Sequence, residues 1–287
     1  MSSFQRKFKT LVHDRYLRNS ILFTLVMLIA FRFLASIPVP GVNPGVLAQF
    51  LSDNQFFSFL NLFSGGGLSQ LSIVVLGVGP YITSSIIMQL MTTVSPKLKR
   101  LFHEEGSIGR KKFNVYSRLL TVPIAIIQGV GILTLLSNQG ALPELGLFGM
   151  VTNVLVITAG AMLVTWIGEL ITEFGVGNGV SLLIFAGIVA ELPSALAATL
   201  ELGRTGAISS VMIIAIFVLL ILTIMFIVFM ERALRKILIN YPKRQMGNKI
   251  YGGDSSHLPL KINSAGVIPA IFASALLLLP VTFSNFT

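Results

Sequence analysis

The sequence predicts an all-α, polytopic membrane protein. Of its 287 residues, 54% are hydrophobic and only 11% are charged, whereas about 25% of the residues of a soluble domain carry charge. Several apolar stretches are long enough to cross a bilayer, which takes about 20 residues of helix. Nineteen of the 21 lysines and arginines lie in three polar stretches outside these apolar ones.

Seven spans can be placed by length and apolar composition. They are predicted at residues 21–37, 80–93, 119–136, 150–171, 180–200, 208–230 and 262–283. Proline and glycine mark their ends, as in the Pro38-Val-Pro40-Gly41 turn after the first span and the glycine-rich turn at residues 175–179 before the fifth. The polar stretches at residues 95–118 and 231–261 are interpreted as loops.

Basic residues set the predicted orientation of the spans. Five lysines and arginines precede the first span, seven lie between the second and third, and seven between the sixth and seventh. With seven crossings these 19 residues face one side, which the positive-inside rule assigns to the cytoplasm. We therefore predict a cytoplasmic N-terminus and an outer location for the end of this sequence.

The second span is preceded by a broken apolar segment. Three glycines at 65–67 open it, and a break at Gly77, Gly79 and Pro80 separates a predicted short helix at 68–75 from the span itself. A helix in lipid must satisfy its own backbone, so such a break is tolerated where protein or water covers the freed groups. Broken helices of this kind indicate a cavity or pathway; a kink that serves packing alone is the alternative.

Few side chains capable of chemistry lie within the spans. The ionisable candidates are Arg32, Glu169, Glu173 and Glu191, and all are close to a predicted membrane interface. A proton- or sodium-coupled transporter depends on ionisable groups inside the membrane, so this pattern disfavours that class. The chain has no cysteine, no histidine within a span and no phosphate-binding loop. We predict no catalytic residue, no metal and no cofactor.

Several motifs carry a resemblance to a known family. They are residues 72–91 (SIVVLGVGPYITSSIIMQLM), 175–185 (GVGNGVSLLIF), 231–240 (ERALRKILIN) with 241–245 (YPKRQ), 257–261 (HLPLK) and 266–273 (GVIPAIFA). They resemble the SecY family of protein-export channel subunits, which includes the alpha subunits of the eukaryotic translocon, and the similarity runs in order along essentially the whole sequence.

The resemblance implies an inverted-repeat helical bundle of ten spans in two halves, of which seven spans are present here. The first half is residues 1–200, with spans 1 to 5 and a plug near 65–75 formed from the broken second span. The second, incomplete half is residues 201–287, with spans 6 and 7 and a cytoplasmic loop at 231–261.

The resemblance also implies roles for individual side chains. The pore ring comprises Val78, Ile82, Ile184 and Ile271; ordinary packing residues are the alternative. The plug comprises Gly65, Gly66, Gly67, Leu68, Ser69, Gln70 and Leu71. The lateral gate comprises Ser85, Gln89 and Asn263. The residues implied to bind cytosolic partners are Arg100, Arg110, Lys111, Lys112, Lys243, Arg244 and Lys249.

The implied function is that of the channel-forming subunit of the protein translocase. It passes unfolded polypeptides across the plasma (inner) membrane, releases apolar segments sideways into lipid, and catalyses no reaction. The implied partners are SecE, SecG, SecA, the ribosome through its RNA, nascent or unfolded polypeptides, and membrane lipids. A secondary transporter with inverted repeats and a non-functional fragment of the channel stay open as alternatives.

Overall fold

The computed structural model describes residues 14–40, 71–138, 146–206, 208–240, 244–246, 249–251, 255–264, 266 and 273. The helices in this part of the chain are α1 (Arg15–Ala35), α2 (Gly79–Val94), α3 (Pro96–His103), α4 (Gly106–Asn138), α5 (Leu147–Phe174), α6 (Gly179–Arg204) and α7 (Ser210–Arg232). The chain forms two compact units, and the division falls between Ser194 and Ala195. The predicted halves, 1–200 and 201–287, stay a prediction.

Five of the described helices, α1 and α4 to α7, are long and apolar enough to cross a membrane. The predicted fourth, fifth and sixth spans agree closely with α5, α6 and α7. Helix α2 has only 16 residues, fewer than a full crossing needs, as expected for the second part of a broken span. The predicted seventh span at 262–283 lies almost entirely outside the described residues.

Local sequence signals set several helix ends. The Asp14 carboxylate accepts a hydrogen bond from the Tyr16 N–H at 3.0 Å and caps α1. Pro80 occupies the first turn of α2, where its missing N–H is not needed. Gly177 adopts a positive φ of 77° in the turn between α5 and α6, a conformation that glycine adopts without strain.

The loop predicted at residues 95–118 is wrong, because these residues form α3 and the first part of α4. The ring centroids of Phe102 and Phe113 lie 4.8 Å apart, and this contact holds α3 against α4. A helix at a water-exposed surface needs only a narrow apolar side. The apolar-run criterion therefore finds membrane spans and misses polar helices of this kind.

The short helix predicted at 68–75 is also wrong over its described part. Leu71 has a positive φ of 44°, which is incompatible with a right-handed helix. Its carbonyl accepts from the Val39 N–H at 2.8 Å, and the Ile73 N–H donates to the Ile37 carbonyl at 3.0 Å. These partners lie more than 30 residues earlier in the chain, so local composition cannot reveal them.

Residues 71–78, here called the turn segment, form successive tight turns instead. The Val75 N–H donates to the Ser72 carbonyl at 2.9 Å, and the Gly79 N–H donates to the Leu76 carbonyl at 3.0 Å. The side chains of Leu71, Val74 and Val75 are almost completely buried. The break is thus covered by protein and supplied with turn hydrogen bonds, as backbone at membrane depth requires.

The loop predicted at 231–261 contains a β-hairpin. Its strands are β1 (Leu234–Asn240), β2 (Arg244–Met246), β3 (Lys249–Tyr251) and β4 (Ser255–Lys261). Strand β1 pairs antiparallel with β4, and β2 with β3. Asn240 lies opposite Ser255 and Arg244 opposite Tyr251, so both ladders share one register. Gly247-Asn248 connects β2 to β3, and a two-residue connection of this length is the commonest in hairpins.

Candidate functional site

Three of the four predicted pore-ring residues meet in one apolar cluster of the first unit. The buried members of this inner cluster are Phe31, Ala35, Val74, Val78, Val164, Ile167, Ile171 and Leu183. Ile82 and Ile184, which are partly buried, pack against it. Val78 itself is only 4% exposed. Ile271 lies outside the described residues.

Two local features place these side chains together. The Ile82 N–H donates to the Val78 carbonyl at 3.0 Å, so the two residues lie one helical turn apart on the same side of α2. Helices α5 and α6 meet backbone to backbone, because a Cβ on Gly179 would overlap the carbonyl oxygen of Gly168. A Cβ on Gly168 would in turn lie 3.3 Å from the Leu183 side chain, next to Ile184.

A second apolar cluster lies on the other side of the turn segment. Its members are Val39, Leu71, Val75, Leu76, Ala125, Leu133, Leu136, Val154, Ile157 and Ala161. Leu71 is the one predicted plug residue in the described part of the chain, and it is fully buried. The other predicted plug residues, 65–70, lie outside the described residues.

Among the described residues, two buried hydroxyl groups near these clusters have no hydrogen-bond partner. They are Oγ of Ser72 in the turn segment and Oγ1 of Thr158 in α5. An unpaired buried hydroxyl destabilises the arrangement that buries it. Packing of side chains and the backbone hydrogen bonds of the turn segment therefore hold this part of the molecule together.

The predicted gate residues are placed separately. Ser85 is half-buried on α2, whereas Gln89 is exposed near the end of the same helix. Asn263 belongs to the second unit, where its side-chain oxygen accepts from the Gly266 N–H at 3.1 Å. The pairing of Asn263 with α2 stays a prediction.

An ion pair joins α4 and α5, and it was not predicted from the sequence. Arg118 Nε donates to Glu169 Oε1 at 3.0 Å, and Arg118 Nη2 lies 2.5 Å from Glu169 Oε2. This two-pronged geometry is the strongest that arginine makes with a carboxylate. Tyr81 of α2 interacts with both charges, and the Ser84 hydroxyl donates to the Ser117 carbonyl. Polar contacts thus join α2, α4 and α5.

The predicted docking residues fall on two separate surfaces. Arg100 lies on α3, 3.9 Å from Glu104, while the exposed side chains of Arg110, Lys111 and Lys112 lie on the first turns of α4. Arg244 and Lys249 occupy strands β2 and β3 near the tip of the hairpin. Lys243 lies outside the described residues.

No metal-binding cluster is present in the described part of the chain. Within it, no three histidine, aspartate or glutamate side chains come together to hold a metal ion. What the site offers is apolar surface around a break in a membrane helix.

Comparison with known proteins assigns the chain to a family. The family model for SecY matches residues 72–287. The chain is 45% identical over 276 residues to a Rickettsia conorii protein named protein translocase subunit SecY, and 45% identical over 275 residues to its Escherichia coli K12 namesake. Each alignment covers 94% of this chain, but only 64% and 62% of the respective relative. The chain thus spans less than two thirds of the length of these relatives.

Solved structures show the same fold at lower identity. One solved structure comes from work on the plug domain of the SecY protein, which stabilises the closed state of that channel. It matches with a TM-score of 0.68 at 20% identity, covering 96% of this chain and 60% of that one. Another, Sec61 in the canine ribosome-channel complex, matches with a TM-score of 0.63 at 19% identity, covering 96% of this chain and 61% of that one. Sequence and fold agree: the chain, a multi-pass membrane protein, belongs to the SecY family.

Proposed function

We propose that this chain forms most of the channel subunit of a protein translocase. The channel passes unfolded polypeptides across the plasma (inner) membrane and releases apolar segments sideways into lipid. Membership of the SecY family supports this function, and it favours the channel over a secondary transporter. Because the chain spans 62–64% of the relatives compared, the proposal concerns the polypeptide at its native length.

The observation that carries the proposal is the inner cluster at the break in the second span. Val78, Ile82 and Ile184 supply branched apolar side chains there. A ring of such side chains closes a pore to ions, since water leaves a narrow apolar constriction. The same ring deforms around a polypeptide of any sequence, because it makes no directional contacts. Ile271 would complete the ring from the seventh span.

A plug and a lateral gate complete the proposed mechanism. Residues 65–70, followed by Leu71, would block the resting pore, and the three glycines among them give the backbone freedom to leave it. The gate would open between Ser85 and Gln89 on α2 and Asn263 on the seventh span. An apolar segment in the pore would then enter lipid, which favours it by tenths of a kcal/mol per apolar residue.

The proposed partners follow from the charges and the family. Exposed basic side chains on α3, α4 and the hairpin would face the cytoplasm, with the N-terminus on that side and the end of this sequence outside. They would bind SecA and ribosomal RNA, and the second contact would weaken with salt as phosphate contacts do. SecE and SecG would surround the helices. The chain itself would catalyse no reaction and need no cofactor.

The test is the ion conductance of the native-length protein, with its partner subunits, in planar bilayers. A double variant, Val78→Gly with Ile184→Gly, removes two ring side chains and should conduct small ions at rest. The control, Val151→Gly with Ile188→Gly, makes the same changes at exposed positions of α5 and α6 and should stay closed. Equal conductance in the two variants would refute the pore-ring assignment.

A further inference from the structure

Helix α5 meets the turn segment at a glycine that has no room for a side chain. A Cβ on Gly160 would overlap the carbonyl oxygen of Ile73, and it would lie 2.8 Å from the Ile73 carbonyl carbon and 3.4 Å from the Val74 nitrogen. All three are backbone atoms. No side-chain rotation can relieve the overlap, so either α5 or the turn segment would have to move.

The contact lies where the two apolar clusters meet. Next to Gly160 on α5, Ala161 belongs to the second cluster, and Val164, one turn further along, belongs to the inner cluster. Along the turn segment, Val74 packs in the inner cluster and Val75 in the second. A displacement at Ile73 and Val74 therefore disturbs both sets of contacts at once.

We propose that Gly160 is a positioning residue that seats the turn segment against α5 and so holds the channel closed. This inference rests on the proposed channel function. A methyl group at 160 would push the Ile73 carbonyl away by on the order of 1 Å, because real Cβ contacts lie beyond 3.0 Å and the interior has no space to absorb it. Val78 ends the same segment, so the inner cluster to which it belongs, and against which Ile82 and Ile184 pack, would loosen.

A second buried glycine provides a matched control. Gly129 lies on α4, which also packs against α5. A Cβ there would meet only Cγ2 of Ile157, at 3.8 Å, which is an ordinary contact. Gly129→Ala adds the same methyl group to a buried position of a spanning helix without displacing the turn segment.

Because the chain has no native cysteine, one introduced cysteine can report directly whether the turn segment stays packed against α5. In a Val74→Cys background, the new thiol replaces a side chain with no exposed surface and should resist a membrane-impermeant maleimide. Gly160→Ala should raise the labelling rate about tenfold or more, which corresponds to an opening equilibrium shifted by about 1.4 kcal/mol. Gly129→Ala should leave the rate unchanged. In parallel, Gly160→Ala alone should conduct small ions at rest in planar bilayers.

The two readouts separate this inference from the channel proposal. Continued protection of the thiol in folded Gly160→Ala protein would overturn the inference, even if the Val78→Gly and Ile184→Gly double variant conducts. The inference would also be overturned if the thiol is labelled in Gly160→Ala protein and that variant does not conduct ions while the double variant does. The contact between the turn segment and α5 would then not control closure. Labelling with neither variant conducting would instead overturn the pore-ring assignment, and with it the role of Gly160 in closure.

A second variant guards against a failure of Gly160→Ala to fold. Ile157 is fully buried in the second cluster. Ile157→Ala removes packing next to the turn segment without creating an overlap, and so weakens the contact between that segment and α5. It should raise the labelling rate to a smaller degree. Full protection of the Val74→Cys thiol in this variant would overturn the inference as well.

Discussion

Thr24 ties α1 to the turn between α5 and α6. Its hydroxyl oxygen accepts from the Val176 N–H at 3.1 Å, while its hydrogen goes to the Ser20 carbonyl at 2.8 Å. Thr24→Val keeps the side-chain volume and removes both bonds. An unpaired buried donor costs about 1–3 kcal/mol. Val176 is 43% exposed, so water compensates in part and we expect about 1–1.5 kcal/mol, from the lower end of that range.

This loss is measurable as a shift in the melting temperature of the native-length protein in detergent. The unfolding entropy is about 2.1 cal/mol/K per residue, so in a chain of roughly 430 residues, the length of the relatives, 1 kcal/mol corresponds to about 1 °C. Thr24→Val should therefore melt about 1–2 °C lower. Thr152→Val is the control, because the exposed Thr152 hydroxyl bonds only to the Phe148 carbonyl of its own helix, at 2.8 Å. If both variants melt at the same temperature, the bond to Val176 does not hold α1 in place.

Two ion pairs should differ in their contribution to stability. Glu169→Gln leaves the Arg118 charge without its two-pronged partner and should cost about 1 kcal/mol in thermal melts; adding Arg118→Gln should recover part of this loss, and additive losses would argue against direct coupling. Lys261 lies 2.9 Å from Glu231 at the base of the hairpin, and both side chains are at least half exposed. Lys261→Gln should therefore change the melting temperature little at any salt concentration, and a loss of several degrees would contradict this reading.

The fold was predictable where one chemical signal dominates a long stretch. The apolar run at 150–171 predicted α5, and the glycines at 175–179 predicted the turn to α6. Both predictions succeeded because lipid and tight turns each favour a narrow set of residues. The first turns of α4 were missed, since a water-exposed helix needs no apolar run. The hairpin was missed because its pairs, such as Leu234 with Lys261, lie far apart in the sequence.

The site was predictable only in part, for the same reason. The resemblance named Val78, Ile82 and Ile184, and the structure places all three at one cluster, although their role as a pore ring stays a prediction. Glu169 alone was named from the sequence, and Arg118 was placed only at the end of a polar stretch. Their 51-residue separation hid the pair, because no periodicity in the sequence connects side chains on different helices.

The turn segment is held both by backbone hydrogen bonds and by close packing against α5. In lipid, no hydrophobic force drives helices together, so close approach at small residues takes its place. The Gly160 hydrogen that stands where a Cβ would be points at the Ile73 carbonyl, in the manner of the weak Cα–H···O contacts that recur at helix interfaces. Such contacts are worth about 0.5–1 kcal/mol each, and this one adds to the backbone hydrogen bonds of the segment. If the proposed channel function holds, loosening the turn segment therefore means losing the close contact at Gly160 together with the backbone hydrogen bonds to Ile37 and Val39.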